Sequence, residues 1–450
     1  MAGRREHKEG LTILLAQTST IPLKHVLLGL FIRELLAPFT GHQYDFEIWV
    51  RLGVYMQSLQ NPYTGLPYYP GVSFAPSPLI GSISYPPLPA FIFAITYRVY
   101  LALGEPSRFL YYFLLKQPMV LSDVAVAIVL LRIITISKSP NLGRTALLIW
   151  LYFPFGILVS SVWGALDPIA LLLTLLAVYY FLTSKQVASA SLLGLAILLK
   201  TIPVVALPVL LMQIRTGLNR RVRYTAISLV IPAIGTLAPV LLLNWGFVGI
   251  YDNFSFQVAI PSYGALSIQG PLSLLPSIPG AVHFLTGVFW IPALSVAYVY
   301  IQRRRLPLLQ GLMMTFVVFS ISRPFLPEQW AVYPLSLLLS IMNKSSLQHF
   351  IGLSISATAF LIASNTLLVP FLSPLSVAFY NWNIYADNFS PYALARTTAL
   401  SVLASLYFAE ALLTLLGKRS VVYKTLMGVS TSLRVQLPSI VRTSPETKPV

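Results

Sequence analysis

The sequence is poor in the residues that most often build metal and redox sites. It contains no cysteine among 450 residues, so a disulfide, an iron–sulfur cluster and a thiolate site are all excluded. Its five histidines are scattered along the chain, which argues against a histidine-built metal centre. Acids are also scarce, 13 against 30 bases. An acidic residue that lies outside an apolar run is therefore a candidate for a specific chemical role.

Charge of either sign is too scarce for a soluble protein of this size. Charged residues make up 10% of the chain and hydrophobic residues 56%, whereas a soluble domain needs about a quarter of its residues charged. Apolar runs long enough to cross a bilayer recur along the whole sequence. They are continuous and do not alternate, which favours helices over a β-barrel. The composition predicts an all-α, polytopic transmembrane helical bundle that forms one large integral domain.

The bases set the predicted orientation. The net charge of +17 lies mainly in short loops and the tail, which indicates the positive-inside rule and no nucleic-acid partner. About 12 crossings are predicted, with residues 187–214 read either as one crossing or as two short segments. The predicted divisions are a cytosolic segment at 1–20, an integral membrane domain at 21–417 with a long outer loop at 40–84, and a basic cytosolic tail at 418–450.

The outer loop at 40–84 is rich in Pro, Gly, Ser and Tyr and contains one helical pattern. Apolar residues recur there at helical spacing, at Ile48, Trp49, Leu52, Met56 and Leu59. This spacing predicts a short amphipathic helix that lies along the membrane interface and ends at Asn61-Pro62.

Asp45 and Glu47 stand directly after the first apolar run. In an extended segment, residues i and i+2 point the same way, so both carboxylates would meet one substrate or one divalent cation such as Mg²⁺ or Mn²⁺. On a helix they lie about 200° apart, and Asp45 would then serve as an N-cap. The sequence leaves both interpretations open.

Several charged residues fall at membrane depth, where charge is costly and often functional. Arg33 is either a helix-end group that reaches the interface or a contact for a lipid phosphate. Lys116 and Asp123, seven residues apart, share a helix face and form either an ion pair or a functional set. Lys200 falls within an apolar run and requires an anion or water.

Two further charged positions lie at predicted boundaries. Asp167 precedes Pro168 and is either a helix cap or a site residue. Arg323 faces outward by the predicted topology, against the usual charge bias, so it requires either a phosphate or Glu328 as a partner.

Taken in order, the motifs resemble the GT-C class of membrane glycosyltransferases. Within it they look closest to the branch of the first mannosyltransferase of glycosylphosphatidylinositol synthesis and its prokaryotic polyprenol-dependent relatives. The motifs that carry the resemblance are Tyr44-Asp45-Phe46-Glu47 with Trp49, Asn61-Pro62-Tyr63, Tyr85-Pro86-Pro87-Leu88, Lys116 with Asp123, Gly164-Ala165-Leu166-Asp167, Lys200-Thr201-Ile202-Pro203 and Glu328-Gln329-Trp330. The chain departs from the branch at Glu47, where an Asp is frequent, and at Ala165-Leu166, where Asn-Ala is frequent.

The resemblance implies a glycosyltransferase that transfers a hexose from a dolichyl or polyprenyl phosphate to a lipid-linked glycan, a glycolipid or a protein on the non-cytosolic face. Mannose is the hexose that the resemblance favours. In this interpretation Asp45 carries catalysis, alone or together with Glu47, and the one candidate cofactor is a divalent cation, Mg²⁺ or Mn²⁺, held by the same two residues. The candidate donor-phosphate residues are Arg323, Lys116, Lys200 and Arg33. The candidate substrate residues are Tyr44, Trp49, Tyr63, Tyr85, Asp123, Asp167, Glu328 and Gln329. The alternatives are a polytopic transporter, a lipid-linked-sugar flippase, and a non-catalytic subunit of a glycosylation complex. A partner subunit is a further candidate partner of this protein.

Overall fold

The computed structural model describes nine stretches of the chain, and these are overwhelmingly helical. The described residues are 21–42, 44–73, 79–80, 83–214, 217–252, 266–272, 287–323, 327–363 and 391–432. Within them, a two-stranded antiparallel ribbon pairs Leu66–Pro67 with Leu79–Ile80. The predicted all-α class is confirmed.

Except for residues 56–87, short connections join the helices of the first half, and many of these helices have Pro in the first turn, where its missing N–H costs nothing. These helices are α1 (Leu23–Leu36), α2 (Asp45–Tyr55), α3 (Leu88–Ala102), α4 (Arg108–Ser137), α5 (Pro140–Leu151), α6 (Pro154–Ile157), α7 (Asp167–Leu182), α8 (Gln186–Leu199), α9 (Leu207–Gln213) and α10 (Leu218–Leu242). A π-helical turn, Leu158–Trp163, extends α6, and a 3-10 turn, Ile202–Ala206, precedes α9.

The second half continues the bundle. Its described helices are α11 (Gln269–Leu272), α12 (Trp290–Arg304), α13 (Leu308–Ser322), α14 (Val332–Ile341), α15 (Lys344–Ala363), α16 (Pro391–Leu415) and α17 (Val421–Ser432). A 3-10 turn, Glu328–Ala331, leads into α14. Helix α4 lies at the centre of the bundle, where it packs against α5 and α7.

Four described helices are long and apolar enough to cross a membrane, and a fifth span arises if α5 and Pro154–Trp163, which meet at a 51° bend, count as one. The four are Arg108–Ser137, Leu218–Leu242, Lys344–Ala363 and Thr398–Leu415. The shorter apolar helices are Leu88–Ala102, Asp167–Leu182, Gln186–Leu199, Ile202–Gln213 and Leu308–Ser322. The chain is thus an integral membrane protein, while the total of about 12 crossings stays a prediction. The predicted cytosolic segment at 1–20 and residues 433–450 of the predicted cytosolic tail at 418–450 lie outside the described residues.

The apolar run at 187–214 is broken at Lys200. Helix α8 ends at Leu199, and Lys200 takes an extended backbone conformation before the 3-10 turn begins. Pro203 lacks the N–H that would bond to the Leu199 carbonyl and continue the helix. Lys200 therefore lies at a helix break and does not lie within a continuous helix.

The predicted helix in the outer loop is present as α2, but its apolar residues are covered by protein. Trp49 is 1% exposed and stacks on Phe93 of α3 with the ring centroids 5.0 Å apart. Ile48, Leu52 and Met56 are also buried, and Leu59 is exposed. Aromatic residues of α3 and α4 thus cover the apolar surface that α2 presents, while the position of the helix along the membrane interface stays a prediction.

A buried ion pair joins α1 to α4. The Arg33 guanidinium donates to the Asp123 carboxylate at 2.8 Å and to the backbone oxygen of Leu151 at 2.8 Å. Asp123 also accepts hydrogen bonds from Trp150 Nε1 at 2.9 Å and Ser160 Oγ at 3.0 Å. The predicted pairing of Asp123 with Lys116 is therefore wrong, and Arg33 does not reach an interface. Both groups act in packing the helices, and we leave both out of the candidate site.

Candidate active site

Asp45 is the first residue of α2, and its carboxylate faces away from that helix. Its Oδ2 accepts a hydrogen bond from Trp163 Nε1 at 3.0 Å and lies 3.5 Å from the amide nitrogen of Gln329. Tyr44 occupies the cap position, and its side chain forms no capping hydrogen bond. Of the two interpretations that the sequence leaves open, the helical one is confirmed, but Asp45 is the first residue of the helix and not its N-cap. The side chain is instead held by residues 118 and 284 positions away.

Glu47 points to the opposite side of α2, as the spacing of about 200° on a helix requires. Its Oε1 accepts from Arg51 Nε at 2.6 Å, and both side chains are fully buried. Arg51 also donates to the backbone oxygen of Leu66 and lies over the ring of Tyr68. Glu47 thus stabilises the packing of the loop, and the predicted catalytic pair is wrong.

The predicted cation site at Asp45 and Glu47 does not fit this arrangement. The Glu47 carboxylate is neutralised by Arg51, so it cannot share a metal ion with Asp45. No group of three or more His, Asp or Glu with metal-binding spacing occurs in the part of the chain that the structure describes. A hard cation needs several oxygen ligands, and this donor set does not supply them.

His42 and Trp163 hold the start of α2 against the π-helical turn. The His42 backbone N–H donates to the Trp163 carbonyl at 3.0 Å, and the two rings stack with centroids 4.3 Å apart. His42 Nδ1 accepts from the backbone N–H of Asp45 at 3.0 Å, so the ring satisfies an otherwise open donor of the helix. π-Helical turns are frequent at functional sites. Here the turn places the Trp163 indole beside Asp45.

The glycine after Trp163 is required by this close approach. Gly164 has a φ of +77°, which L side chains rarely adopt. A Cβ at this position would lie 2.7 Å from the ring of Phe46. The turn therefore closes onto α2 only with glycine at position 164.

Lys116 joins the segment before α2 to the π-helical turn. Its fully buried Nζ donates to the Thr40 carbonyl at 2.6 Å, the Thr40 hydroxyl at 2.9 Å and the Ser161 carbonyl at 2.6 Å. The ammonium also lies 4.7 Å from the centroid of the Phe46 ring. An ammonium has three N–H donors, and all three are used. Lys116 thus has no donor left for the phosphate that the sequence interpretation assigned to it.

Lys200 and Asp167 form a buried ion pair where α8 breaks and α7 begins. Nζ lies 2.8 and 2.7 Å from the two carboxylate oxygens. The ammonium also lies over the rings of Tyr85 and Trp330, 5.2 and 5.3 Å from their centroids. Asp167 is the first residue of α7, and Leu166 occupies the cap position, so the predicted capping role is wrong.

Arg323 carries a half-buried charge at the end of α13. Its guanidinium lies 4.8 Å from the centroid of the Trp330 ring and 5.5 Å from that of Phe319. Among the described residues, no ion pair or side-chain hydrogen bond satisfies it, and Glu328 forms no ion pair with it. Burial lowers the pKa of Arg323 to about 10, so the group remains charged at neutral pH. A desolvated guanidinium without a carboxylate is suited to bind an anion.

Tyr85 lies between the acidic and basic groups. Burial raises the pKa of its hydroxyl well above the usual 10, and the charges of Asp45 and Asp167 raise it further, so it is a neutral phenol. The Trp49 ring packs against it at 5.4 Å, and the Tyr63 hydroxyl donates to its carbonyl at 2.8 Å. Trp49 and Tyr63 therefore support Tyr85 from within the protein, whereas Tyr44 is 46% exposed.

The structure thus gathers only part of the predicted set into one site. The residues brought together are Asp45, Tyr85, Asp167, Lys200, Arg323 and Gln329. Sequence reasoning did not assign roles to His42 and Trp163. The one sequence feature that points to Trp163 is the glycine that follows it, Gly164. No residue near His42 in the sequence indicates that its ring contacts Trp163.

The comparison with protein families decides the class of this site. The model of glycosyltransferase family 87 matches residues 84–323, more than half of the chain. The chain belongs to glycosyltransferase family 87. It is therefore a membrane glycosyltransferase, as the sequence predicted in the broad sense. No curated protein matches the chain.

The family match covers part of the site. It includes Tyr85, Asp167 and Lys200 and ends at Arg323, while Asp45 precedes it and Gln329 follows it. The family assignment does not extend to the narrower mannosyltransferase branch that the sequence resembles.

We expect His42 to make the position of Asp45 sensitive to acid. Burial lowers the pKa of His42 below its usual 6.5, so the unfolded chain takes up the proton more readily than the folded one. The stability that neutral His42 supplies is therefore present above about pH 6.5 and lost as pH falls below it. The substitution His42→Asn keeps an acceptor for the Asp45 N–H but cannot titrate.

The test is the midpoint of thermal unfolding in detergent between pH 8 and pH 5. The wild type should lose more stability on acidification than His42→Asn, with His25→Asn on α1 as the control for loss of a histidine elsewhere. An identical acid dependence for wild type and His42→Asn would contradict this role.

Proposed function

We propose that this glycosyltransferase moves a hexose from a polyprenyl phosphate to an acceptor hydroxyl, with Asp45 as the base. The observation that carries the proposal is the position of Gln329-Trp330. The Gln329 amide reaches Asp45, and the next residue, Trp330, lies against both Lys200 and Arg323. A carboxylate and two cations thus meet around two consecutive residues, which suits a reaction between a hydroxyl and a sugar phosphate.

Asp45 is arranged to accept a proton. Both of its side-chain donors among the described residues, Trp163 and Gln329, are directed at Oδ2. This leaves Oδ1 for the acceptor hydroxyl, whose proton moves to Oδ1 as the hydroxyl oxygen attacks the anomeric carbon. The bond from that carbon to the phosphate oxygen breaks in the same displacement, so the configuration inverts. A positioned base of this kind contributes about 10²–10⁴-fold to the rate.

Arg323 is the proposed partner of the leaving phosphate. A guanidinium presents paired N–H donors that match phosphate oxygens, and it also stacks on aromatic rings. The charge that grows on the departing phosphate is best stabilised by cations that are already in place. Lys200 stands beside this position, with Asp167 compensating its charge. Arg33 and Lys116 are left out of the proposal because their donors are engaged within the protein.

The finer features of the reaction rest on the resemblance of the motifs. Mannose is the proposed sugar, and a lipid-linked glycan, a glycolipid or a protein is the proposed acceptor, on the non-cytosolic face. The proposed donor, a dolichyl or other polyprenyl phosphate, places the reacting carbon near the membrane, where Arg323 ends an apolar helix. The arrangement needs no metal ion for a phosphate leaving group.

We expect Asp45→Asn to lower the transfer rate by about 10²–10⁴-fold, because an amide can keep the Trp163 contact but cannot take the proton. The measurement is transfer from a labelled polyprenyl-phosphate sugar by the purified full-length protein. Glu105→Gln, which alters an exposed acid, is the control and should retain activity. Undiminished transfer by Asp45→Asn would remove Asp45 as the base. Movement of labelled donor across a vesicle membrane without transfer would favour a flippase.

We expect Arg323→Met to raise the KM for the donor about 10- to 100-fold, because hydrogen bonds to charged groups contribute about 1.5–3 kcal/mol each. Methionine keeps an apolar contact with Trp330 and removes the charge. Arg323→Lys should restore only part of the loss, since an ammonium lacks the planar fork.

The measurement for Arg323 is initial rate against donor concentration in detergent or nanodiscs. Arg303→Met removes an exposed arginine of α12 and serves as the matched control. An unchanged KM for the donor in Arg323→Met would show that Arg323 does not bind the donor phosphate.

A further inference from the structure

Three polar atoms on one helical turn are buried without a hydrogen-bond partner. They are Gln329 Oε1, Trp330 Nε1 and Tyr333 Oη, on side chains that are 2%, 5% and 1% exposed. Burying such a group without a partner is unfavourable and is uncommon in folded proteins. Three such atoms within five residues, where the 3-10 turn meets α14, need an explanation.

The same helix satisfies its other buried polar side chains. Ser336 Oγ donates to the Tyr333 carbonyl at 2.8 Å, and Ser340 Oγ donates to the Leu337 carbonyl at 2.7 Å. Unpaired polar atoms are therefore not a general property of α14 in this protein. Single unpaired atoms occur on other described elements, such as Trp49 Nε1 on α2, but Gln329, Trp330 and Tyr333 bring three together where the 3-10 turn meets α14, near Asp45, Lys200 and Arg323.

The chemistry of the three atoms selects one kind of ligand. Gln329 Oε1 only accepts a hydrogen bond, Trp330 Nε1 only donates, and the Tyr333 hydroxyl does both. A phosphate oxygen would repel the Gln329 oxygen, and a hydrocarbon chain would satisfy none of the three. A hydroxyl group both donates and accepts, so a ligand with several hydroxyls satisfies the whole set.

The position of the three atoms agrees with this chemistry. The Gln329 amide nitrogen lies 3.5 Å from the Asp45 carboxylate, so its oxygen is next to the proposed reaction centre. The centroid of the Trp330 ring lies 5.3 Å from the Lys200 ammonium and 4.8 Å from the Arg323 guanidinium. Tyr333 lies about one turn after Trp330, close enough to Asp167 for the charge of that carboxylate to act on its hydroxyl. In a donor, the sugar occupies the space between the phosphate and the attacking hydroxyl, and the three atoms occupy the corresponding space in the protein.

We propose that Gln329, Trp330 and Tyr333 form the subsite that binds the hydroxyl groups of the transferred sugar and thereby set donor specificity. This inference rests on the proposed function and adds the residues that distinguish one sugar from another. Tyr333 is the most informative of the three, because Tyr333→Phe removes the hydroxyl and keeps the stacked contact with Phe316, whose ring centroid lies 5.2 Å away.

The first experiment measures affinity in the Asp45→Asn background, where turnover does not consume the donor. The probes are a polyprenyl-phosphate mannose, its single-deoxy analogues and the polyprenyl phosphate alone. We expect one deoxy analogue to bind about 10- to 100-fold more weakly than the parent, since a site built around a hydroxyl rejects its absence. Adding Tyr333→Phe should weaken the parent by a similar factor and leave that analogue unchanged, so that the two converge.

Two results of this experiment would overturn the proposal. One is an equal loss for every probe, polyprenyl phosphate included, which indicates a structural role for Tyr333. The other is unchanged discrimination among the analogues. Either can occur while Asp45-dependent transfer persists, in which case the subsite fails and the proposed function stands. If the affinities for the parent and the deoxy analogue converge in Tyr333→Phe, but the wild-type protein transfers no sugar, the subsite stands and the proposed function fails.

The second experiment tests the unpaired hydroxyl itself, with no ligand present. Because the Tyr333 hydroxyl has no partner, Tyr333→Phe should raise the midpoint of thermal unfolding or leave it unchanged. The matched control is Tyr224→Phe on α10, where the buried hydroxyl bonds to Ser189 Oγ at 2.8 Å and its loss should lower the midpoint. Ser336→Ala on α14 should leave donor discrimination unchanged. A drop for Tyr333→Phe as large as that for Tyr224→Phe would overturn the proposal.

Discussion

The buried ammonium of Lys116 is the constraint on which the site depends. Its three hydrogen bonds tie Thr40, at the start of the outer loop, to Ser161 in the π-helical turn. An unpaired charge at this depth would be prohibitive, so the two segments must stay together wherever the lysine is charged. Their junction in turn sets His42 on Trp163 and brings the Trp163 indole to Asp45. The orientation of the proposed base thus follows from a group that touches no substrate.

The charges of this bundle fall into two kinds. Three buried pairs, Arg33–Asp123, Glu47–Arg51 and Lys200–Asp167, neutralise themselves within the protein. Asp45 and Arg323 have no oppositely charged partner in an ion pair among the described residues. Removing one partner of a buried pair costs about 3–5 kcal/mol, so the need to keep each charge neutralised explains why the members of these three pairs occur together. Pairing does not explain Asp45 and Arg323, and both belong to the proposed substrate site.

The sequence predicts what depends on near neighbours and fails where distant partners decide. Helix α2 follows from the apolar spacing around Trp49, and the opposite directions of Asp45 and Glu47 follow from helical geometry. Lys116 and Asp123 were paired because they share a face of α4, but their actual partners come from 76 and 90 residues away. Spacing along one helix cannot reveal which other helix supplies the partner. The same limit hid Trp163 and Tyr333, which are ordinary apolar-helix residues until the fold places them beside Asp45 and Asp167.

The most direct test of the central claim is a structure of the full-length protein with a polyprenyl-phosphonate sugar, in which a methylene group replaces the glycosidic oxygen and prevents transfer. The account predicts phosphonate oxygens within hydrogen-bonding distance of the Arg323 guanidinium, with the sugar between them and Asp45 Oδ1. A phosphonate bound instead at the exposed arginines that end α12, with Asp45 distant from the sugar, would contradict it.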